Sequence, residues 1–323
     1  MMDIPVDVIV DAVWRQGENN LGVALVAADG QPLPRWAPGA HISLYLSNHL
    51  IRQYSLTGRG NDPYRYQICV ARDQASRGGS AYIHDVLRPG QRLTVSVPKN
   101  LFPLAASGPV ILLAGGIGIT PLYAMAEHLE ASGTPFVLHY YLKKPGCGAF
   151  ERELQRPLQH GNCRFWYSSD GDSPRHHIPE ELLSPSAETR ILLCGPEGFM
   201  TQMMNTALQY GWPEENIQME AFGPPAVPQT AGVSDAFIIT LASSGWQFRV
   251  PADKTIAAVL LENGVDVPLS CEMGICGACL TPVVSGRVDH RDTVQSDAEK
   301  SADQQQIALC CSRSHTAELV IER

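Results

Sequence analysis

The sequence feature that most constrains this chain is a group of three cysteines near its carboxyl end. Cys271, Cys276 and Cys279 follow C-x4-C-x2-C spacing in the stretch SCEMGICGACL of the 323-residue chain. A zinc ribbon requires paired C-x2-C knuckles, and a thioredoxin-type dithiol requires C-x-x-C where a helix opens after a strand. Neither arrangement accounts for three thiols with a distant fourth. The segment is therefore predicted to be a loop that gathers thiolates around another kind of centre.

The spacing of these thiols is that of plant-type [2Fe–2S] ligation, in which four thiolates hold two irons. Gly274 and Gly277 lie between the cysteines and would let backbone N–H groups turn toward the sulfides. The fourth thiolate has two candidates, Cys310 and Cys311, which are adjacent in IALCCSRS. Neighbouring residues of a strand point to opposite sides, so both could not easily reach one cluster. The spacing alone leaves open which of the two it is.

Residues 235–323 resemble a plant-type ferredoxin domain, which has a β-grasp fold. The resemblance implies that Cys310 completes the ligand set, because the ligand in related sequences precedes a residue that is followed by Ser-Arg. The alternative is that Cys311 is the ligand and that Cys310 is a small buried hydrophobic residue. Acidic residues near the cluster could dock a basic patch on an electron acceptor or simply form a solvated loop. They are Asp289, Asp292, Asp297 and Glu299.

Charge and composition exclude several classes of partner. The formal net charge is −9, and no basic run exceeds two residues, so the electrostatic signature of a nucleic-acid-binding protein is missing. No apolar run reaches the roughly 18 residues that a membrane helix requires. The cysteines number nine, an odd count, and no signal peptide precedes them, which argues against a disulfide framework. We expect a soluble cytoplasmic protein that binds neither nucleic acid nor membrane.

The pattern of apolar residues changes along the chain and predicts a multidomain protein. Residues 1–104 contain short alternating segments separated by turn residues, typical of an antiparallel β-barrel. Residues 105–224 alternate apolar strands with helical stretches, which indicates an α/β domain with a parallel sheet. Residues 225–234 are rich in proline and predict a linker. Residues 235–323 then form an α+β domain around the cysteine loop, with Thr255 as a helix cap and Gly264 as its stop.

Two turns of the second domain are candidates for binding a nucleotide. GGIGITP follows an apolar strand and opens a helix, with Thr120 as the expected cap and Pro121 at the first helical position. Such a turn presents backbone N–H groups to a phosphate. CGPEGFM ends a later strand, and ligands of open α/β sheets gather at the carboxyl ends of the strands. The predicted nucleotide-binding residues are Gly115, Gly116, Gly118, Thr120, Pro121, Cys194, Gly195 and Pro196.

These two motifs together resemble the pyridine-nucleotide domain of the ferredoxin–NADP reductase superfamily. The resemblance implies a flavin in the first domain, where Arg52, Tyr54, Ser55 and Leu56 form R-x-Y-S-L and Arg77, Gly78, Gly79 and Ser80 form R-G-G-S. An arginine can pair with a phosphate, and a tyrosine can lie along the isoalloxazine.

Three residues have implied roles in the reaction itself. Ser55 and Thr120 would adjust the flavin N5 and nicotinamide environments through hydrogen bonds, and Phe222 in the EAF triplet would cover the flavin face. A core or linker position is the alternative for Phe222.

The order of flavin, nucleotide and ferredoxin segments is similar to that of the phthalate dioxygenase reductase family, which includes vanillate demethylase and carnitine monooxygenase reductases. The resemblance spans essentially the whole chain. It implies that electrons pass from NADH to FMN, then to a [2Fe–2S] cluster, and finally to a separate Rieske-type oxygenase. No cysteine of this chain has a histidine two residues later, so a Rieske centre would have to lie in that partner.

Two other functions use the same parts. One is the FAD-containing reductase of another monooxygenase system, such as a soluble diiron enzyme, but there the ferredoxin segment usually comes first. The other is a redox sensor that binds NADH and uses its cluster as a signal, but no DNA-binding or effector segment is left unassigned. NADH is preferred over NADPH because the segment after the second strand of the nucleotide domain contains no arginine for a 2′-phosphate. Lys143 and Lys144 in that segment could meet such a phosphate, so NADPH stays the alternative.

Overall fold

The computed structural model describes residues 5–46, 50–74, 76, 78–104, 108–222, 236–269, 274, 277–292 and 294–323. The chain separates into two compact units, residues 1–222 and 223–323. Four of the predicted features lie outside the described residues: Arg77, Cys271, Cys276 and the linker at 225–234. The domain boundaries at 104, 224 and 234 stay predictions.

The first unit begins with an antiparallel sheet in the order β4-β3-β6-β1-β2-β5, with β7 paired to β3. A bridge between Leu56 and Ile68 links the chain just after β4 to β5 at the other edge, so the sheet curls into a barrel. Alternate side chains of β1 and β3 fill its core, which explains the alternating sequence pattern. Its elements are β1 (Val6–Arg15), β2 (Asn20–Ala27), β3 (Ala40–Tyr45), β4 (Ile51–Ser55), β5 (Arg65–Ala71), α1 (Gly79–Asp85), β6 (Arg92–Val95) and β7 (Lys99–Asn100).

The second half of this unit is a five-stranded parallel sheet in the order β10-β9-β8-β11-β12. From β8 the chain proceeds outward through β9 and β10, and then returns to place β11 on the other side of β8. The strand order therefore reverses between β8 and β11, and ligands of such sheets bind at that switch point. The elements are β8 (Val110–Gly115), α2 (Ile119–Ser132), β9 (Phe136–Leu142), α3 (Glu151–Leu154), β10 (Gly161–Tyr167), β11 (Arg190–Cys194), α4 (Glu197–Gln209) and β12 (Ile217–Glu220).

The start of α2 differs from the prediction. Residues Gly116–Gly118 form a 3₁₀ turn that runs directly into the helix, so α2 begins at Ile119 with Gly118 at its cap position. Thr120 is therefore not the cap, and its Oγ1 instead donates to the Ile117 carbonyl oxygen at 3.1 Å. Pro121 stands at the third helical position, which it tolerates because no N–H of the first turn has an intrahelical partner.

The second unit contains a five-stranded sheet in the order β14-β13-β19-β15-β17 and a small β16–β18 pair. Helix α5 contributes Ile256, Val259 and Leu260 to the hydrophobic core that it shares with the sheet. As predicted, Thr255 caps α5 by accepting a hydrogen bond from Ala258 N, and Gly264 follows its end with φ +77°. The elements are β13 (Phe237–Leu241), β14 (Gln247–Val250), α5 (Ile256–Glu262), β15 (Leu280–Ser285), β16 (Val288–Asp289), α6 (Asp297–Lys300), β17 (Gln306–Ala308), β18 (Arg313–Ser314) and β19 (Glu318–Ile321).

The prediction of a multidomain protein with a β-barrel, a parallel α/β sheet and an α+β ferredoxin-type region is confirmed. Within the part of the chain that the structure describes, no helix is long and apolar enough to cross a membrane.

Candidate functional site

The two glycine turns of the parallel sheet pack against each other at the switch point. A Cβ atom on Gly118 would lie 2.2 Å from the Cys194 carbonyl oxygen, and one on Gly195 would lie 3.0 Å from the Gly115 Cα. Only glycine lets the backbones approach this closely. The structure therefore brings together the GGIGITP turn after β8 and the CGP turn after β11, as the sequence predicted.

Part of this paired turn leaves room for a ligand. Gly116 adopts φ +54°, and nothing lies within 4 Å of the place where its Cβ would be. Gly116 and Ile117 are half-buried and Pro196 is exposed, whereas Gly118, Thr120 and Pro121 are buried. The open side of the turn thus consists of backbone around Gly116 and Pro196, while the buried residues hold its shape.

A buried polar cluster lies where β4 of the barrel meets the parallel sheet. Glu220 at the end of β12 is in register with Cys194 at the end of β11, and its carboxyl group is hydrogen-bonded to the Ser55 hydroxyl. The second carboxyl oxygen, Oε2, is buried and has no hydrogen-bond partner among the described residues. Burial raises the pKa of Glu220 to about 8, which the hydrogen bond from Ser55 only partly opposes. Near neutral pH the carboxyl group is therefore largely protonated.

The same environment affects the neighbouring thiol. Cys194 is fully buried, and burial together with the nearby Glu220 raises its pKa well above the ordinary value. Cys194 is therefore a neutral wall of the crevice and not a nucleophile. Glu220 Oε2 thus lies near a neutral thiol and is a buried polar atom without a hydrogen-bond partner among the described residues.

Strand β4 and the start of α1 supply the residues predicted to hold a flavin. A Cβ on Gly79 would lie 2.5 Å from the Arg52 Cγ, so glycine at this position lets the arginine side chain cross the beginning of α1. Gly78 precedes the helix with φ +95°, and Ser80 Oγ donates to Ser76 Oγ at 2.9 Å. The structure thus gathers Arg52, Gly78, Gly79 and Ser80 in one place.

The remaining residues of the R-x-Y-S-L motif have different surroundings. Tyr54 is half-buried, and burial raises its pKa to about 12 against the opposing effect of Arg52, so its hydroxyl stays neutral. Leu56 is fully buried in the barrel core. Its side chain packs inward, so a cofactor contact of Leu56 would have to come from its backbone, and its role stays a prediction. Phe222 is 43% exposed, so its alternative position in the core is excluded.

The second unit holds the thiols. Cys279, Cys310 and Cys311 are all buried, and Gly274 and Gly277 adopt φ values of +76° and +74°. A Cβ on Gly274 would lie 2.5 Å from Cys311 Sγ. The cysteine loop and the distant cysteine pair therefore meet, and the donor set of buried soft sulfurs with left-handed glycines fits an iron–sulfur cluster.

Cys310 and Cys311 do not lie in a strand, so the expectation that their side chains point to opposite sides of one is wrong. Strand β17 ends at Ala308, and residues 309–311 form a turn in which Cys311 N and Ser312 N both donate to the Ala308 carbonyl oxygen. In this turn the two side chains are hydrogen-bonded to each other, and that bond lowers the pKa of Cys311. The alternation of a strand therefore does not distinguish them, and Cys310 as fourth ligand stays a prediction.

Comparison with known proteins agrees with this architecture. Residues 112–205 match the family described as the oxidoreductase NAD-binding domain, and residues 239–315 match the 2Fe-2S iron-sulfur cluster binding domain. Vanillate O-demethylase oxidoreductase from Pseudomonas sp. (strain HR199 / DSM 7063) is 39% identical over 318 residues, covering 98% of this chain and 99% of that one.

Solved structures extend the likeness to the fold. Phthalate dioxygenase reductase, described as a modular structure for electron transfer from pyridine nucleotides to [2Fe-2S], is 33% identical with a TM-score of 0.75, covering 99% of this chain and 98% of that one. An intact type IV self-sufficient cytochrome P450 monooxygenase is also 33% identical, with a TM-score of 0.77, over 99% of this chain and 41% of that one.

The fold, the crevice and the thiol site define an NAD(P)H-dependent flavin iron–sulfur oxidoreductase that functions in electron transfer as the reductase of an oxygenase system. The chain belongs to the phthalate dioxygenase reductase family.

Glu220 is the residue of the crevice that the sequence analysis missed. It was noticed only as the first letter of the EAF triplet, because a single glutamate at a strand end does not reveal its burial. Glu220 ends β12, and the CGP turn follows the end of the neighbouring parallel strand β11. This shared position at the carboxyl ends of adjacent strands is the signal that could have identified Glu220.

Proposed function

We propose that this chain is the NADH-oxidising, FMN-containing reductase of a Rieske-type oxygenase, and that it delivers electrons to that oxygenase through a [2Fe–2S] cluster. The observation that carries the proposal is that the described residues contain both a nucleotide crevice with an unpartnered Glu220 oxygen and a buried thiol site. The likeness to phthalate dioxygenase reductase, which covers 99% of this chain, supports the proposal.

The nucleotide would be bound by the paired turns at the switch point. The backbone around Gly116 would receive the pyrophosphate, since this part of the turn is open and lies at the start of the 14-residue helix α2. Cys194, Gly195 and Pro196 would line the nicotinamide side. Thr120 would keep the turn in shape through its hydrogen bond to the Ile117 carbonyl oxygen.

The flavin would be held by β4 and the beginning of α1. Arg52, with Arg77, Gly78, Gly79 and Ser80, would bind its phosphate, and the half-buried Tyr54 would lie along the ring. A bound flavin would supply what no side chain offers, the acceptance of a hydride and the release of single electrons. Phe222, exposed at the end of the unit, would shield the flavin face until the nicotinamide enters.

The Ser55–Glu220 pair would adjust the reacting end of this site. Glu220 would be largely protonated near neutral pH, because burial raises its pKa to about 8, and its Oε2 has no hydrogen-bond partner among the described residues. Its other oxygen would fix the orientation of the Ser55 hydroxyl at the end of β4. A neutral hydrogen-bonding pair of this kind orients a ligand without adding a charge that opposes hydride transfer.

The preference for NADH is supported by the surroundings of the two lysines after β9. Lys144 Nζ lies 2.9 Å from Glu18 Oε1 and is therefore engaged in an ion pair. A 2′-phosphate would have to compete with this carboxylate. Steady-state kinetics with both nucleotides should give a higher kcat/KM for NADH, and Lys144→Ala should leave NADH kinetics unchanged.

The proposal is tested by identifying the cofactors and the acceptor. The flavin released from the purified protein by heat should co-chromatograph with FMN, and iron and sulfide should be present in equal amounts. Purified Rieske-type oxygenases should then accept electrons from the protein in the presence of NADH. FAD in place of FMN, or a protein without bound iron, would contradict the proposal.

A cytochrome P450 is a second candidate acceptor. The likeness to the self-sufficient P450 monooxygenase covers nearly the whole of this chain, so the same arrangement of modules also occurs joined to a P450. Faster NADH-dependent reduction of a P450 than of any Rieske-type oxygenase would favour this alternative.

A further inference from the structure

Asp292 is a buried acidic residue beside the thiol site, and the hypothesis that it docks a partner is wrong because it is only 2% exposed. Its carboxylate accepts three hydrogen bonds from neutral groups. Oδ2 accepts from both the backbone N and the side-chain Nε2 of Gln295, and Oδ1 accepts from Ser312 Oγ, each at 3.2 Å. The carboxylate is thus held in one orientation in the interior.

Asp292 contacts both segments that contribute thiols. A Cβ on Gly274, in the cysteine loop, would lie 2.9 Å from the Asp292 Cα, and Val294 N donates to the Gly274 carbonyl oxygen at 3.1 Å. On the other side, Ser312 directly follows the cysteine pair. Asp292 therefore lies between the loop and the turn that are predicted to share the cluster.

The arginine and lysine side chains near Asp292 donate to acceptors other than its carboxylate. Arg291 Nε and Asp289 Oδ2 are 2.8 Å apart, and Lys300 Nζ donates to the Asp292 backbone carbonyl at 2.7 Å. The nearest ring nitrogen is Nδ1 of His290, 3.5 Å from Asp292 Oδ1. Both His290 ring nitrogens are buried without a hydrogen-bond partner among the described residues. No arginine or lysine ion pair to this carboxylate occurs among the described residues.

We infer that the buried carboxylate of Asp292 lowers the reduction potential of the cluster through its negative charge. This inference rests on the proposed ligation by Cys279 and the neighbouring thiols. One-electron reduction adds negative charge to the cluster, and a fixed negative charge in a low-dielectric interior opposes that addition. Charge and hydrogen bonds near the sulfurs are known determinants of cluster potential.

The substitution Asp292→Asn separates charge from geometry. The amide is isosteric with the carboxylate, its Oδ1 can accept the two bonds from Gln295, and its Nδ2 can donate to Ser312 Oγ, since a hydroxyl both donates and accepts. Glu299→Gln is the matched control. It makes the same change of charge at an exposed position of α6, where solvent screens the effect.

Three measurements decide the inference: iron and sulfide per chain, the visible spectrum, and the cluster potential by anaerobic redox titration with dithionite and mediators. D292N should retain the cluster content of the wild type and show a higher potential, while E299Q should match the wild type in both. An unchanged potential in fully loaded D292N would overturn the inference. Loss of the cluster from D292N would also overturn it, because the role of Asp292 would then be structural. A wild-type protein without iron would instead contradict the proposed function.

Discussion

A buried carboxyl group lies at the nucleotide crevice and another beside the thiols, and the two differ in how fully the protein satisfies their hydrogen bonds. Glu220, in the nucleotide crevice, is hydrogen-bonded to Ser55, but its Oε2 has no hydrogen-bond partner among the described residues, and burial raises its pKa to about 8. Asp292, beside the thiols, has both oxygens satisfied by three donors. Glu220 thus keeps one carboxyl oxygen without a described partner, whereas protein donors satisfy both oxygens of Asp292.

Substitutions at the cysteine pair are expected to have the strongest effects. Cys310→Ser should abolish cluster binding and reduce NADH-dependent transfer to cytochrome c by more than about 100-fold, because a thiolate ligand is lost. Cys311→Ser, its neighbour in the same turn, is the matched control and should keep iron, sulfide and transfer. NADH–ferricyanide activity should survive in both, since it requires only the first unit. The reverse pattern would assign the ligand to Cys311.

The next largest effect is expected at Ser55. Ser55→Ala removes the hydroxyl that is hydrogen-bonded to Glu220, and should slow anaerobic reduction of the flavin by NADH by about 10- to 100-fold. Stopped-flow absorbance measures this rate directly, and flavin content shows whether binding is intact. Ser43→Ala changes another buried serine of the barrel and serves as the control. An unchanged rate in S55A would show that Ser55 has no role in the reduction of the flavin.

The smallest effect is the pH dependence of stability that Glu220 causes. Its folded-state pKa of about 8 lies above the unfolded value, so the native state binds more protons, and the stability that this proton provides is lost as pH rises toward 8. Between pH 6 and pH 8 the loss should be about 2 kcal/mol in the flavin-free protein. Denaturant unfolding should show that Glu220→Gln lacks this loss, whereas exposed Glu215→Gln retains it. An identical pH profile in E220Q and wild type would contradict the burial of this carboxyl group.

Structural features that a short sequence motif determines could be predicted, and features that depend on more of the chain could not. The glycine turns and the cysteine spacing were predictable, because short motifs determine the backbone at those points. The start of α2 was predicted wrongly, since a 3₁₀ turn and an α-helix have nearly the same local pattern in GGIGITP. The expectation that Cys310 and Cys311 point to opposite sides of a strand was also wrong, because β17 ends at Ala308 and both cysteines lie in the turn that follows.

Features that depend on tertiary packing could not be predicted from local sequence patterns. Glu127 of α2 is 4% exposed and is held by Arg59, with Nε 2.8 Å from Oε2, and by Arg156. These residues are separated by long stretches of chain, and no local pattern indicates that they meet. The burial of Glu220 and Asp292 is of the same kind, since each depends on segments that only the fold brings together.

Electrons that enter at the crevice should reach the thiol site within this chain. Anaerobic titration with NADH, followed by visible absorbance, tests this transfer most directly. The flavin bands and the iron–sulfur bands should both bleach in the wild type, and C310S should lose only the iron–sulfur contribution. Reduction of the flavin without any bleaching of the cluster in the wild type would contradict the account.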